Sequence, residues 1–148
     1  MIHPNHTAAE IFWQYGATAC TDVTGFGLVG HLLEMVNASA VNATLNLESL
    51  PILWGVQETL AQGIVSSLQA QNLQAAQAIA NAEAYAHHPT YPLLFDPQTA
   101  GGLLAAVPAA QAQSCLESLR QQGYTEATII GEVRPLENTQ APLKIRLL

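Results

Sequence analysis

Thr21-Asp22-Val23-Thr24-Gly25-Phe26-Gly27-Leu28-Val29-Gly30-His31 reads as the end of a strand, a sharp glycine turn and the first turns of a helix. Small residues from Ala17 to Thr21 lead into it as a short strand. Beyond it, Leu28, Val29, Leu32, Leu33 and Val36 keep the spacing of a buried stripe, which predicts a helix from about Phe26 to Asn37. Gly27, His31 and Glu34 fall together on the other side. A strand, turn and helix in this order leave backbone N–H groups unpaired at the positive end of the helix dipole, a combination that favours an anion.

Working outward, residues 7–15 read as a short helix with Ile11 and Trp13 as candidate anchors, stopped at Gly16. Val41-Asn42-Ala43-Thr44-Leu45-Asn46-Leu47 alternates apolar and polar without a fault, the mark of a half-buried strand. A helix follows from about Gly55 to Gln62, with Val56 and Leu60 inward and Gly63 as its stop. Residues 66–88 are rich in Gln and Ala, and the spacing of Leu73, Ala76, Ile79 and Ala80 predicts an ordered helix ending near His87-His88-Pro89. Leu93-Leu94-Phe95 leads into a glycine turn. Leu103 to Val107 is apolar throughout, as in a strand covered on both faces. Pro108 opens a helix whose stripe is Ala112, Cys115, Leu116 and Leu119, closed by Gly123. Ala127–Val133 and Leu143–Leu147 read as strands. The expected fold is α+β: a single mixed or antiparallel sheet with helices packed on it, ferredoxin-like in the β-α-β stretch 103–133.

With 148 residues the chain suits one domain with a buried core, and 49% hydrophobic against 10% charged residues excludes a disordered class. Eleven acidic residues face four Lys plus Arg, giving a net charge of −7. That argues against nucleic acid as a partner, which needs clustered cations. A bound polyphosphate would have to rely on a metal ion, on backbone N–H groups or on another domain. Cys20 and Cys115 stand far apart, so neither a disulfide framework nor a Cys/His metal cluster is indicated. No basic segment precedes an apolar run at the start, and no apolar run approaches ~20 residues. A cytoplasmic protein without a membrane partner is therefore expected.

Asp22 is a hard oxygen ligand at a strand end, suited to Mg²⁺ beside a phosphate. The alternative is that Asp22 and Thr24 cap the helix and the glycines only permit a tight turn. His31 reads either as a ligand or base, or as an ordinary surface partner of Glu34 one turn on. Cys20 has no basic neighbour to lower its pKa and reads as a small buried residue, as does Cys115 on its helix. Asp96-Pro97-Gln98-Thr99-Ala100-Gly101-Gly102 is a second glycine loop, either a source of N–H donors or a turn with positive φ. His87-His88-Pro89, with no carboxylate at metal spacing nearby, reads as a helix end.

At this point two long motifs stand in order. Ala19-Cys20-Thr21-Asp22-Val23-Thr24-Gly25-Phe26-Gly27-Leu28-Val29-Gly30-His31-Leu32-Leu33-Glu34-Met35 closely resembles a signature of the selenophosphate synthetases (selenide, water dikinases). Asp96-Pro97-Gln98-Thr99-Ala100-Gly101-Gly102-Leu103-Leu104 resembles their second C-terminal signature, with Ala100 where Ser is usual. Leu47 to Gly63 and Ile129-Ile130-Gly131-Glu132-Val133 are similar too, so the likeness covers nearly the whole chain.

The resemblance implies the C-terminal α+β domain of an enzyme related to aminoimidazole ribonucleotide synthetase. Such enzymes turn selenide, ATP and water into selenophosphate, AMP and phosphate with Mg²⁺. It implies that residues 1–148 are a single domain whose partner is an N-terminal ATP-binding and catalytic domain absent here, in a full-length homodimer. Asp22 matches the family's Mg²⁺-binding aspartate of this domain, and Thr24, Gly25 and Gly27 shape the phosphate side of the cleft. No catalytic residue is expected in the chain, and Cys20 does not match the catalytic Cys or Sec. The isolated chain is expected to be inactive. One departure is Ser66-Ser67-Leu68-Gln69 where many members carry Pro-Gly-Gly-Thr, although Asn72 lines up with their Asn. That change stiffens the loop and bears on substrate access and interdomain docking. Two other readings are a domain of a related superfamily enzyme (aminoimidazole ribonucleotide synthetase or a hydrogenase-maturation dehydratase) and a non-catalytic binding or scaffolding module.

Overall fold

The structure is a computed structural model that describes residues 4–136 and 145–148. In chain order it contains α1 (Asn5–Gln14), β1 (Ala19–Asp22), α2 (Gly27–Ser39), β2 (Val41–Leu45), α3 (Val56–Ala61), α4 (Gln69–Asn72) and α5 (Ala82–Tyr85). Then follow β3 (Leu103–Ala106), α6 (Ala109–Gln121), β4 (Gly131–Pro135) and β5 (Ile145–Leu147). Three 3-10 turns, Leu47–Ser49, Leu73–Ala78 and Tyr91–Phe95, fill connections.

The α+β class is as expected, but among the described residues the strands form two small sheets. β1 pairs antiparallel with β3, Ala19 opposite Ala106 and Asp22 opposite Leu103. β2 is the centre of the second sheet, antiparallel to β4 and parallel to β5. The unit β3-α6-β4 therefore contributes one strand to each sheet, which corrects the ferredoxin-like expectation of a shared one. Of the strand expected over residues 41–47, Val41–Leu45 forms and Leu47 opens a 3-10 turn; Ala43, Leu45 and Leu47 are buried and Val41 is half-buried.

Two apolar clusters result. The larger gathers the α2 stripe (Val29, Leu32, Val36), Leu45, Phe95 and Ile145, all buried. The smaller lies where α1 meets α6 and holds Ala8, Ile11, Cys115 and Leu119. β3 separates them. Leu103 packs against the smaller cluster and Leu104 against the larger, because neighbouring strand residues point to opposite faces. This explains an apolar run with no polar alternation.

The 66–88 helix does not form as one piece. Ile79 bridges Ile145, the Ala80 N–H donates to the Ile145 carbonyl at 2.8 Å, and the Asn81 amide exchanges two 2.9 Å bonds with the Leu147 backbone. Residues 79–81 are drawn out to cover the edge of β5, and that pairing overrides the helix preference of the Gln/Ala run. Similarly, Ala127–Ile130 is not strand. The Arg120 guanidinium takes the Ala127 carbonyl at 3.1 and 3.3 Å, and the ladder starts at Gly131. Of the expected last strand, residues 143–144 lie outside the described residues, and Ile145–Leu147 is strand. In α3, Val56 and Leu60 are half-buried, and no residue of the helix is fully so.

α2 ends at Ala40, which takes a left-handed φ of 50°. An L-residue is strained there, and glycine is not. Ala40→Gly should raise stability by about 0.5–1 kcal/mol, seen as a higher midpoint in thermal denaturation. An unchanged or lower midpoint would count against the left-handed cap.

Candidate functional site

The two glycine loops fold into one body. Past β1 the ladder continues for one step, with the Val23 N–H donating to the Gly102 carbonyl at 2.9 Å. Gly101 lies so close beneath that a Cβ would sit 1.7 Å from the Val23 oxygen. The Thr24 carbonyl accepts two N–H groups at 3.0 Å, from Gly27 within the turn and from Gln98 of the second loop. Gly27 has φ 71°, and a Cβ on it would meet the Phe95 carbonyl carbon at 2.8 Å. Asn72 closes the arrangement: its amide donates to the Gly25 carbonyl at 2.9 Å and to the Phe95 carbonyl at 3.0 Å. Asn5 from α1 reaches the Gly101 carbonyl at 3.3 Å. The clamping roles of Asn72 and Asn5 were not legible in sequence, since each bond joins residues at least 23 apart.

At the mouth of this body stands Asp22. It is exposed, and its carboxylate receives no hydrogen bond from the described residues. It does not cap α2: Phe26 holds the cap position, with no side-chain bond. Strand alternation sets Cys20 and Asp22 on the same, outer face of β1. Cys20 is therefore exposed, not buried as expected, because among the described residues β1 pairs with β3 alone and no element covers its outer face. Partial burial pushes the Cys20 thiol up, and the Asp22 charge pushes the same way. A thiol held protonated is a poor nucleophile. Cys115 is buried, as expected.

Thr24 bonds sideways. Its Oγ1 lies 3.2 Å from His31 Nε2, and His31 Nδ1 lies 3.1 Å from Glu34 Oε2. The pairing of His31 with Glu34 was expected, its burial was not: His31 is 7% exposed. The side of α2 taken as outer is covered because Gly27 admits the Phe95 backbone and Gly30 lies under Phe26. The Phe26 ring sits 5.4 Å from the imidazole. His88, read as part of a helix end, meets Glu48 at 2.9 Å from 40 residues away. Gln69, in the stretch that replaces the family's glycines, is buried and donates to the Pro92 carbonyl at 2.8 Å.

Asp96 at the head of the second loop is half-buried. Desolvation pushes its carboxyl up, and a 2.9 Å bond from the Gln98 amide opposes the shift. Asp96 edges a shallow groove of about 460 Å³ with Trp54, Leu60, Ile64 and Val65. A smaller one of about 270 Å³ lies between Phe26, Glu34 and Asn72. Asp22 belongs to neither. Among the described residues no three His, Cys, Asp or Glu side chains converge as a metal cage. None of the helices described is long and apolar enough to cross a membrane.

Residues 1–143 match the family described as "AIR synthase related protein, C-terminal domain". The chain belongs to that family. This AIR synthase-related domain is 36% identical over 139 residues to a protein of Clostridioides difficile (strain 630) named "Selenide, water dikinase", covering 91% of the chain and 39% of that protein. A protein of the same name from Myxococcus xanthus (strain DK1622) is 39% identical over 142 residues, 88% of the chain and 37% of the relative. In Geobacter metallireducens the figures are 36% over 134 residues, 90% and 39%. The domain thus spans under two-fifths of the length of the curated relatives it matches.

The tight seating of Gly101 gives a direct test. Gly101→Ala should destabilise the domain by about 2–3 kcal/mol through overpacking, while Gly25→Ala, with open space around it, should leave the denaturation midpoint nearly unchanged. Equal effects would refute the interlock. For Asp96 the sign follows from its raised folded pKa. Its contribution is fully present below the unfolded carboxylate range and is lost as pH rises through the folded value. Asp96→Asn should therefore flatten the fall in urea midpoint between about pH 4 and neutrality, and an unchanged slope would show that Asp96 is not desolvated.

Proposed function

We propose that this domain is the C-terminal part of a selenophosphate synthetase, which makes selenophosphate, AMP and phosphate from selenide, ATP and water. In this reading the domain supplies Asp22 as one Mg²⁺ ligand and the Thr24–Gly27 bend as the wall facing the nucleotide phosphates. The observation that carries it is an exposed carboxylate that no described residue hydrogen-bonds, at the end of a strand held by the interlocked loops. The names of the relatives and the two motifs agree with it.

One hard oxygen donor with no cage around it fits a shared magnesium ion. Such ions take one or two carboxylates, keep several waters and use phosphate oxygens for the rest. When bound, the ion neutralises charge on the phosphates. The domain's own part is positional. The N–H groups of Gly25 and Phe26 donate to no described residue and belong to exposed residues, which leaves them to phosphate oxygens in this reading. With four Lys plus Arg in the chain and a nucleophile-poor Cys20, the domain is inactive alone and works with an N-terminal ATP-binding domain in a homodimeric enzyme of the cytoplasm. A non-catalytic scaffold with the same fold would have no use for the free carboxylate.

Asp22→Asn in the full-length enzyme should raise the Mg²⁺ needed for half-maximal phosphate release by at least about tenfold. A second readout needs no turnover. Removing the Asp22 charge, or neutralising it with bound Mg²⁺ and nucleotide, should speed alkylation of Cys20 at fixed pH, since that charge helps hold the thiol protonated. Magnesium dependence and labelling both indifferent to Asp22→Asn would dismiss the metal role.

A further inference from the structure

Glu34, His31 and Thr24 form a continuous hydrogen-bonded chain that ends at the bend, with links of 3.1 and 3.2 Å. The His31 side chain is 9% exposed and that of Glu34 62% exposed. Chemistry assigns the protons along it. A carboxylate only accepts, so the hydrogen of the neutral ring sits on Nδ1 and points at Glu34. Nε2 is then an acceptor, and the Thr24 hydroxyl must donate to it. A hydroxyl has one hydrogen and two lone pairs. With its hydrogen committed inward, Thr24 offers only lone pairs to anything in front of the bend.

We infer that His31, oriented by Glu34, is a positioning residue that fixes Thr24 as an acceptor oxygen two residues beyond Asp22. This inference rests on the reading of Asp22 as a metal ligand and gives Thr24 a different task from the glycine bend. An acceptor suits a water of a hydrated magnesium ion and repels a bare phosphate oxygen. Phosphate oxygens are left to the N–H groups of Gly25 and Phe26. The ring is well placed for such a role. It is fixed on α2, covered by Phe26 at 5.4 Å, and bonded through both nitrogens, so it cannot turn without losing both links.

Nitrogen NMR of the chain reads the protonation directly. His31 should show a protonated Nδ1 and a bare Nε2, and Thr24→Val should move the Nε2 signal while Nδ1 keeps its hydrogen. A protonated Nε2 in the neutral ring would overturn the inference. In the full-length enzyme, Thr24→Val and His31→Phe should each raise half-saturating Mg²⁺ roughly tenfold, and their combination should be no worse than either. Thr24→Ser should stay within about twofold of the parent, and so should His31→Gln, whose amide oxygen can accept the same hydroxyl. A merely structural imidazole would give additive losses and no rescue by Gln, which sinks the inference. Should His31→Phe fail to fold, Thr24→Val and the NMR signals decide. Asp22→Asn is run alongside. A silent Asp22→Asn removes the metal reading and this inference with it, whereas a strong Asp22 effect with a silent Thr24→Val removes only this inference.

Discussion

The carbonyl groups of Val23, Thr24 and Gly25 are the point on which the structure turns. Each faces a different part of the chain: Gly101 beneath the first, Gln98 N–H on the second, the Asn72 amide on the third. A strand end followed by a glycine turn is ordinarily the least constrained part of a fold, because its backbone groups have no ladder to satisfy them. Here the Thr24 and Gly25 carbonyls accept from segments 74 and 47 residues further along the chain, and Gly101 packs against the Val23 carbonyl with no side chain in between. The bend is consequently part of the rigid body. The backbone that carries the exposed Asp22 is held with it.

That rigidity is built from small residues. Each of Gly27 and Gly101 admits backbone to a distance where a methyl group would overlap, so the two loops touch main chain to main chain. Larger side chains do their work behind them, in the cluster around Leu45, Phe95 and Ile145. His31 reaches from the helix through the glycine side to Thr24. Its burial couples the helix to the bend by a directional bond that apolar packing would not supply.

Charge follows the same division. Eleven acids stand against four Lys plus Arg, so in the proposed reading the domain presents backbone donors and the Asp22 carboxylate, and a metal and a companion domain supply the cationic compensation. The raised thiol of Cys20, next to Asp22 on an open strand face, belongs to this picture as a reporter of the carboxylate's charge and not as a reactive group.

Much was legible in the sequence. The alternation of residues 41–47, the α2 stripe, the helix after Pro108 and the two glycine motifs each follow from local periodicity or from residues with a special backbone. Asp22 at an exposed strand end was readable for the same reason. What local rules could not supply was anything decided by a distant partner. The Gln/Ala run was broken because residues 79–81 pair with β5, Ala127 left its strand because Arg120 took its carbonyl, and His31 went inside because Phe26 and Phe95 closed over the glycine side of its helix. Propensity and spacing are properties of neighbours along the chain. Which carbonyl meets which amide across tens of residues is settled only when the whole chain has packed.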